Sequence, residues 1–256
     1  MRTRWVGFDM DECVSSVMPL FELAEYAYRI DNQRDRYMFY YHLAQIIYRS
    51  EDSGETWLIR PVMFSVLPIL AEAQSKGDIQ GAFMYSNNGS AALVTFIGFF
   101  FNVCIKLMKG LSYVPSLFQM AAWNGAPCRV PHGMVKSYES IQDCLEAMKL
   151  PQCSSRNDLL FFDDMTHQLK YETSFYATVP AYLNHTPVAR VMNAVFPLRT
   201  WMGESDWSIV TERMLNNQRN DFNRPDNTYV LRRQPSEAKQ TDMLVFHSAL
   251  KSFLTI

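Results

Sequence analysis

Three places in this 256-residue chain put acids or small polar groups directly after a short apolar run. Trp5-Val6-Gly7-Phe8 runs into Asp9-Met10-Asp11, Gly81 through Tyr85 runs into Ser86-Asn87-Asn88-Gly89-Ser90, and Leu159 through Phe162 runs into Asp163-Asp164. If the three runs are strands of one parallel sheet, their carboxyl ends share a rim, which is where open α/β sheets bind ligands. Four carboxylates gathered there repel one another, each pair at 4 Å by about 4 kcal/mol at an effective dielectric of about 20. Such a cluster calls for a cation, and an all-oxygen set without His or Cys favours Mg²⁺ over zinc. Ser86 with the Asn87 side chain and the following amides, at the start of a helix, supplies donors suited to an anion. A cation, an anion cradle and a surplus carboxylate point together to phosphoryl transfer.

The elements needed to position these groups are legible in the pattern. Apolar runs of four or five residues without alternation fit strands covered on both faces. A further strand is predicted over Phe118 to Ala122, before the Asn124-Gly125 turn. Between the runs lie helical stretches: Pro61 to Ser75, closed by Lys76-Gly77-Asp78; Asn88 to Lys109; and Ser137 to Lys149, with Tyr138, Ile141, Leu145 and Met148 on one stripe. Strand and helix in alternation indicate an α/β fold with a central parallel sheet flanked by helices. The Tyr-rich helical stretch from 15 to 57 interrupts the alternation after the first strand and reads as an insertion, with Ser16 as a cap for its first helix. Residues 1–14 and 58–256 then form the core, with a C-terminal extension from about 170 that ends in a helix presenting Met243, Phe246, Leu250 and Phe253 to the body.

Composition narrows the classes. A hydrophobic share of 48% supports a packed core, and 24 basic against 26 acidic residues give no general case for nucleic-acid or membrane-surface binding. Five cysteines without metal-type spacing are expected to be reduced thiols of an intracellular protein, and the five histidines form no H-E-x-x-H. The N-terminus lacks a signal-peptide core, and the greasiest stretch, Ala91 to Ile105, is 15 residues long, short of the roughly 20 that span a bilayer. A secreted or transmembrane protein is therefore not expected.

The order and context of these clusters resemble the haloacid dehalogenase superfamily. Phe8-Asp9-Met10-Asp11-Glu12-Cys13-Val14 is similar to its D-x-D-x-[T/V] opening, Tyr85-Ser86-Asn87 to its second motif, and Phe161-Phe162-Asp163-Asp164 to its acidic fourth. Lys136, 27 residues before Asp163 and followed by a helix, stands where the family's third-motif lysine does. The D-x-D-E context, Arg60-Pro61 before a helix and Val135-Lys136-Ser137-Tyr138 resemble one branch, the phosphatases of the RNA polymerase carboxy-terminal domain. Cys13 stands where the family has Thr, and Asp164-Met165-Thr166 where the branch has Asp-Asn-Ser.

The resemblance implies a Rossmann-like fold in which residues 15–57 are a small helical cap. It implies an Mg²⁺-dependent phosphomonoesterase: Asp9 as nucleophile forming an aspartyl-phosphate, and Asp11 as proton donor and acceptor. Asp9, Asp11 (through its carbonyl), Asp163 and Asp164 are the implied Mg²⁺ site, and Ser86, Asn87 and Lys136 the phosphate contacts. The expected substrate is a phosphoserine or phosphothreonine protein; a nucleotide or sugar phosphate, or a phosphate-binding scaffold without turnover, are the alternatives.

Overall fold

The computed structural model describes residues 2–10, 13–15, 18–86, 90–123, 136–182, 186–222 and 236–255. Along the chain run β1 (Trp5–Phe8), α1 (Phe21–Tyr28), α2 (Gln33–Asp52), α3 (Met63–Lys76), β2 (Gly81–Ser86), α4 (Ala91–Lys109), β3 (Phe118–Trp123), α5 (Tyr138–Ala147) and β4 (Leu159–Asp163). They are followed by α6 (Leu169–Glu172), β5 (Phe175–Thr178), α7 (Val188–Val195), α8 (Arg199–Met202), α9 (Glu204–Phe222) and α10 (Ser236–Leu254). The expected cap residue Ser16 lies outside the described residues, and α1 starts without a side-chain cap.

All five strands are parallel, in the order β3-β2-β1-β4-β5. The chain therefore builds outward from β1 through β2 to β3, then crosses back to lay β4 on the other side of β1. This reversal is the switch point of a Rossmann-like α/β sheet. Because crossovers are right-handed, reversing the direction of travel moves the connecting helix to the opposite face. α5, the crossover into β4, accordingly packs on a different face from α3 and α4. Even-numbered strand residues (Val6, Phe8, Ala82, Met84, Leu160, Phe162) join the larger core with those two helices. Odd-numbered ones (Trp5, Phe83, Tyr85, Leu159, Phe161) pack with Ile141, Cys144 and Leu145 of α5. That two-sided burial is why the runs read as unbroken apolar stretches.

Gly7 is dictated by this packing. A β-carbon there would meet Phe161 Cδ2 at 2.5 Å and Phe83 Cζ at 2.7 Å, so the centre of β1 accepts no side chain.

α4 carries a dense apolar surface, with twelve buried residues from Ala92 to Ile105. By length and composition it could span a membrane, but two thirds of its apolar window, 67%, is buried within the protein. Residues 15–57, expected as a cap, supply α1 and α2. Leu23, Ala24, Ala27, Phe39, Leu43 and Ile47 of these helices belong to the same core as the sheet and α4. Tyr40 lies 5.6 Å from Phe96 and Tyr37 lies edge-on to Phe99 at 5.3 Å, which fastens α2 along α4.

One expectation for the C-terminal third needs correction. Beyond residue 170 the chain adds a fifth strand, β5, on the β4 edge, followed by the helices α7 to α10. α10 docks through Phe246, Leu250 and Phe253, with Phe246 stacked on Phe162 at 4.6 Å, but Met243 is 49% exposed. The buried neighbour at that level is Asp242, which faces Arg60 at 3.6 Å. A buried ion pair takes the place that counting apolar residues had given to methionine.

Candidate active site

The register of β1 on β4 decides the site. Phe8 lies opposite Phe162, so the next residues, Asp9 and Asp163, leave the sheet side by side, and the Asp9 amide donates to the Phe162 carbonyl at 2.8 Å. On the other flank Phe8 is opposite Met84, which places buried Ser86 two positions beyond, at the end of β2. Three of the four motifs read from the sequence thus come to one rim, the one beside the switch point.

The fourth arrives from α5. Ser137 caps that helix, accepting from the Ser140 amide at 3.1 Å while Ser140 Oγ reciprocates. The cap fixes where the preceding residue can point. Lys136 is 1% exposed, and its Nζ lies 2.7 Å from Asp9 Oδ1 and 2.9 Å from Asp163 Oδ2. The Leu169 amide holds the Lys136 carbonyl at 3.0 Å, tying this segment to the chain that follows β4. One ammonium therefore bridges the carboxylates of two adjacent strands.

Carboxylate oxygens of Asp9, Asp163 and Asp164 all lie within 4.8 Å of one another, and the Lys136 ammonium lies against two of the three acids. Burial pushes the Asp9 carboxyl above its usual range; Lys136 opposes this and Asp163 adds to it. For Lys136, burial favours the neutral amine, but Asp9 and Asp163 together outweigh it and hold the ammonium above the usual lysine value. A compact all-oxygen group of this kind could hold a metal ion, whose charge would favour the anionic form of Asp9.

Around this centre, Asp163 Oδ1 accepts the Met165 amide at 3.0 Å, and His167 Nε2 lies 3.6 Å from Asp163 Oδ2. Burial is the main influence lowering the His167 pKa, and nearby Lys136 adds to it. On the β2 side, Ser90 caps α4 by accepting from the Leu93 amide at 3.1 Å, and donates to Glu25 Oε1 at 2.9 Å. That contact ties α1 to the helix whose N-terminus follows Ser86.

Of the residues singled out in the sequence, Asp9, Lys136, Asp163 and Asp164 are brought together, and Ser86 ends the neighbouring strand. Asp11 and Asn87 lie outside the described residues. Sequence reading missed Tyr176 on β5 and Glu25 on α1; neither sits in a motif, and only the strand pairing and helix packing bring them near the site. No family model, curated protein or solved structure matches the chain, so a functional reading rests on this geometry.

Proposed function

We propose that the protein is an Mg²⁺-dependent phosphomonoesterase of the haloacid dehalogenase type, working through an aspartyl-phosphate on Asp9. The observation that carries this reading is Lys136 Nζ bridging Asp9 and Asp163. A carboxylate held at the carboxyl end of a central strand, beside a buried ammonium and further carboxylates, suits in-line attack on a phosphoryl group.

Asp9 acts as nucleophile: its oxygen bonds to phosphorus as the ester oxygen departs. Asp11 is assigned the proton that the leaving oxygen takes up, and afterwards the proton removed from the water that hydrolyses the acyl phosphate. Lys136 has three N–H donors, of which Asp9 and Asp163 engage two, leaving a third for a phosphoryl oxygen. Ser86 and Asn87, before the N-terminus of α4, are assigned the remaining phosphoryl oxygens. Asp9, Asp163 and Asp164 would hold Mg²⁺, with the Asp11 carbonyl as a further ligand, and the ion would supply positive charge to the transferring phosphoryl group. The motif context favours a phosphoserine or phosphothreonine side chain of a protein as substrate, and residues 15–57 are read as the segment that borders its entry.

The test is release of phosphate from an aryl phosphate, with and without Mg²⁺, by the parent and by Asp9→Asn. A loss on the order of 10³-fold in kcat is expected for the variant, with retained circular dichroism. Equal turnover by both proteins would remove Asp9 from the mechanism.

A further inference from the structure

The loop from Asp163 to His167 carries two of the three clustered carboxylates, and one side chain from outside the motifs sits at its hub. Tyr176 lies on β5 opposite Phe161 of β4, its ring stacked on that phenylalanine at 6.1 Å. Its hydroxyl donates to the Met165 carbonyl at 2.5 Å and stands near the His167 backbone and the Asp163 carboxylate. One hydroxyl thus gathers the middle, the end and the acidic start of a five-residue loop.

Asp163 is anchored at the end of β4 by the Val179 amide on its carbonyl at 2.9 Å and by Lys136 on its carboxylate at 2.9 Å. Beyond it, the Met165 amide is held by Asp163 Oδ1 and the His167 carbonyl by the Lys170 amide at 3.1 Å, whereas the Met165 side chain is 61% exposed.

We propose that Tyr176 is the positioning residue of the cation site: its hydroxyl fixes the 163–167 loop so that Asp163 and Asp164 are aimed at the ion before it binds. Groups that orient ligands without touching the metal commonly change its affinity by 10–100-fold when removed. The inference rests on the metal-dependent reading above, and the experiment separates the two.

Mn²⁺ serves as the probe, its free concentration followed by electron paramagnetic resonance during titration of the parent and of Tyr176→Phe. The expected result is at least about ten-fold weaker Mn²⁺ binding by the variant. Aryl phosphate hydrolysis at saturating Mn²⁺ should return to within a few-fold of the parent. That split between affinity and turnover would not arise from general loosening of the fold. Parent protein that binds no Mn²⁺ would overturn the metal reading itself; parent and variant binding Mn²⁺ equally would overturn the role of Tyr176 alone. A second measurement reads the loop directly: in metal-free protein, amide exchange over residues 164–168 should be faster in Tyr176→Phe than in the parent with exchange elsewhere unchanged, and equal rates would show that the hydroxyl does not hold the loop.

Discussion

At the carboxyl edge of the sheet, Asp9 and Asp163 share the Lys136 ammonium with Asp164 close by, whereas under α10 the Arg60 guanidinium faces the Asp242 carboxylate at 3.6 Å. Asp9, Asp163, Arg60 and Asp242 are all buried, yet their surroundings differ. Arg60 also donates to the Pro180 carbonyl and is flanked by the rings of Tyr182 and Phe246, 5.5 and 5.7 Å from its carbon. It is enclosed by protein. The cluster at the edge gathers three carboxylates about a lysine that contacts two of them, at the rim of the sheet. An enclosed pair is a device for joining elements, here the approach to α3 with α10; an acidic cluster at the rim is a device for binding. Glu51 offers a third arrangement, an enclosed acid with neutral donors only: Thr56 Oγ1 at 2.8 Å and the Leu58 amide at 2.7 Å.

The largest effect should come from breaking the enclosed pair. Arg60→Leu leaves Asp242 buried without its cation and is expected to cost about 3–5 kcal/mol in urea unfolding, while Arg60→Leu with Asp242→Leu should recover most of the loss. A double variant as unstable as the single would show that the two residues do not act as a pair.

Next is Glu51, whose carboxyl burial pushes up to about 7 against the pull of its hydrogen bonds. The folded protein therefore holds a proton that the unfolded chain releases near its ordinary value of 4.5. The native state binds more protons across that interval, so stability falls as pH rises, fully present below about 4.5 and lost on passing 7. The shift corresponds to something on the order of 3 kcal/mol. Urea midpoints of Glu51→Gln at pH 5 and 8.5 should differ less than those of the parent; an unchanged difference would place the proton elsewhere.

The smallest effect, and the one of opposite sign, belongs to the edge cluster. Asp164→Asn removes one negative charge from the cluster and should raise metal-free stability by about 1 kcal/mol, some 2–4 °C in Tm, while reducing the gain in Tm on adding Mg²⁺. Loss of stability in the metal-free variant would mean the cluster is not under repulsive stress. A functional site that gains stability when an acid is neutralised, beside a structural pair that loses it, is the contrast these experiments sharpen.

Several parts of this arrangement were readable before any coordinates. Asp9, Ser86, Asp163 and Asp164 each end an apolar run, and a strand buried on both faces leaves that signature because water reaches neither side. α4 was legible for the same reason. Lys136 was recognisable only by its order relative to the acids, since nothing local distinguishes it from other lysines. Tyr176 was hidden because β5 is a four-residue edge strand, only partly buried, in a polar passage. Asp242 was hidden because a buried acid interrupts the apolar stripe of α10, and the eye moves to Met243 next to it.

The sequence by itself determined the alternation of strands and helices, the positions at which acids follow strands and the helix that starts after Lys136, because each is set by neighbours within a turn or a pleat. Tertiary structure alone decided that Asp9 stands beside Asp163, that Lys136 bridges them and that Tyr176 reaches the loop. Those choices follow from which strands pair and in what register, and pairing between residues 154 positions apart leaves no local periodicity to read.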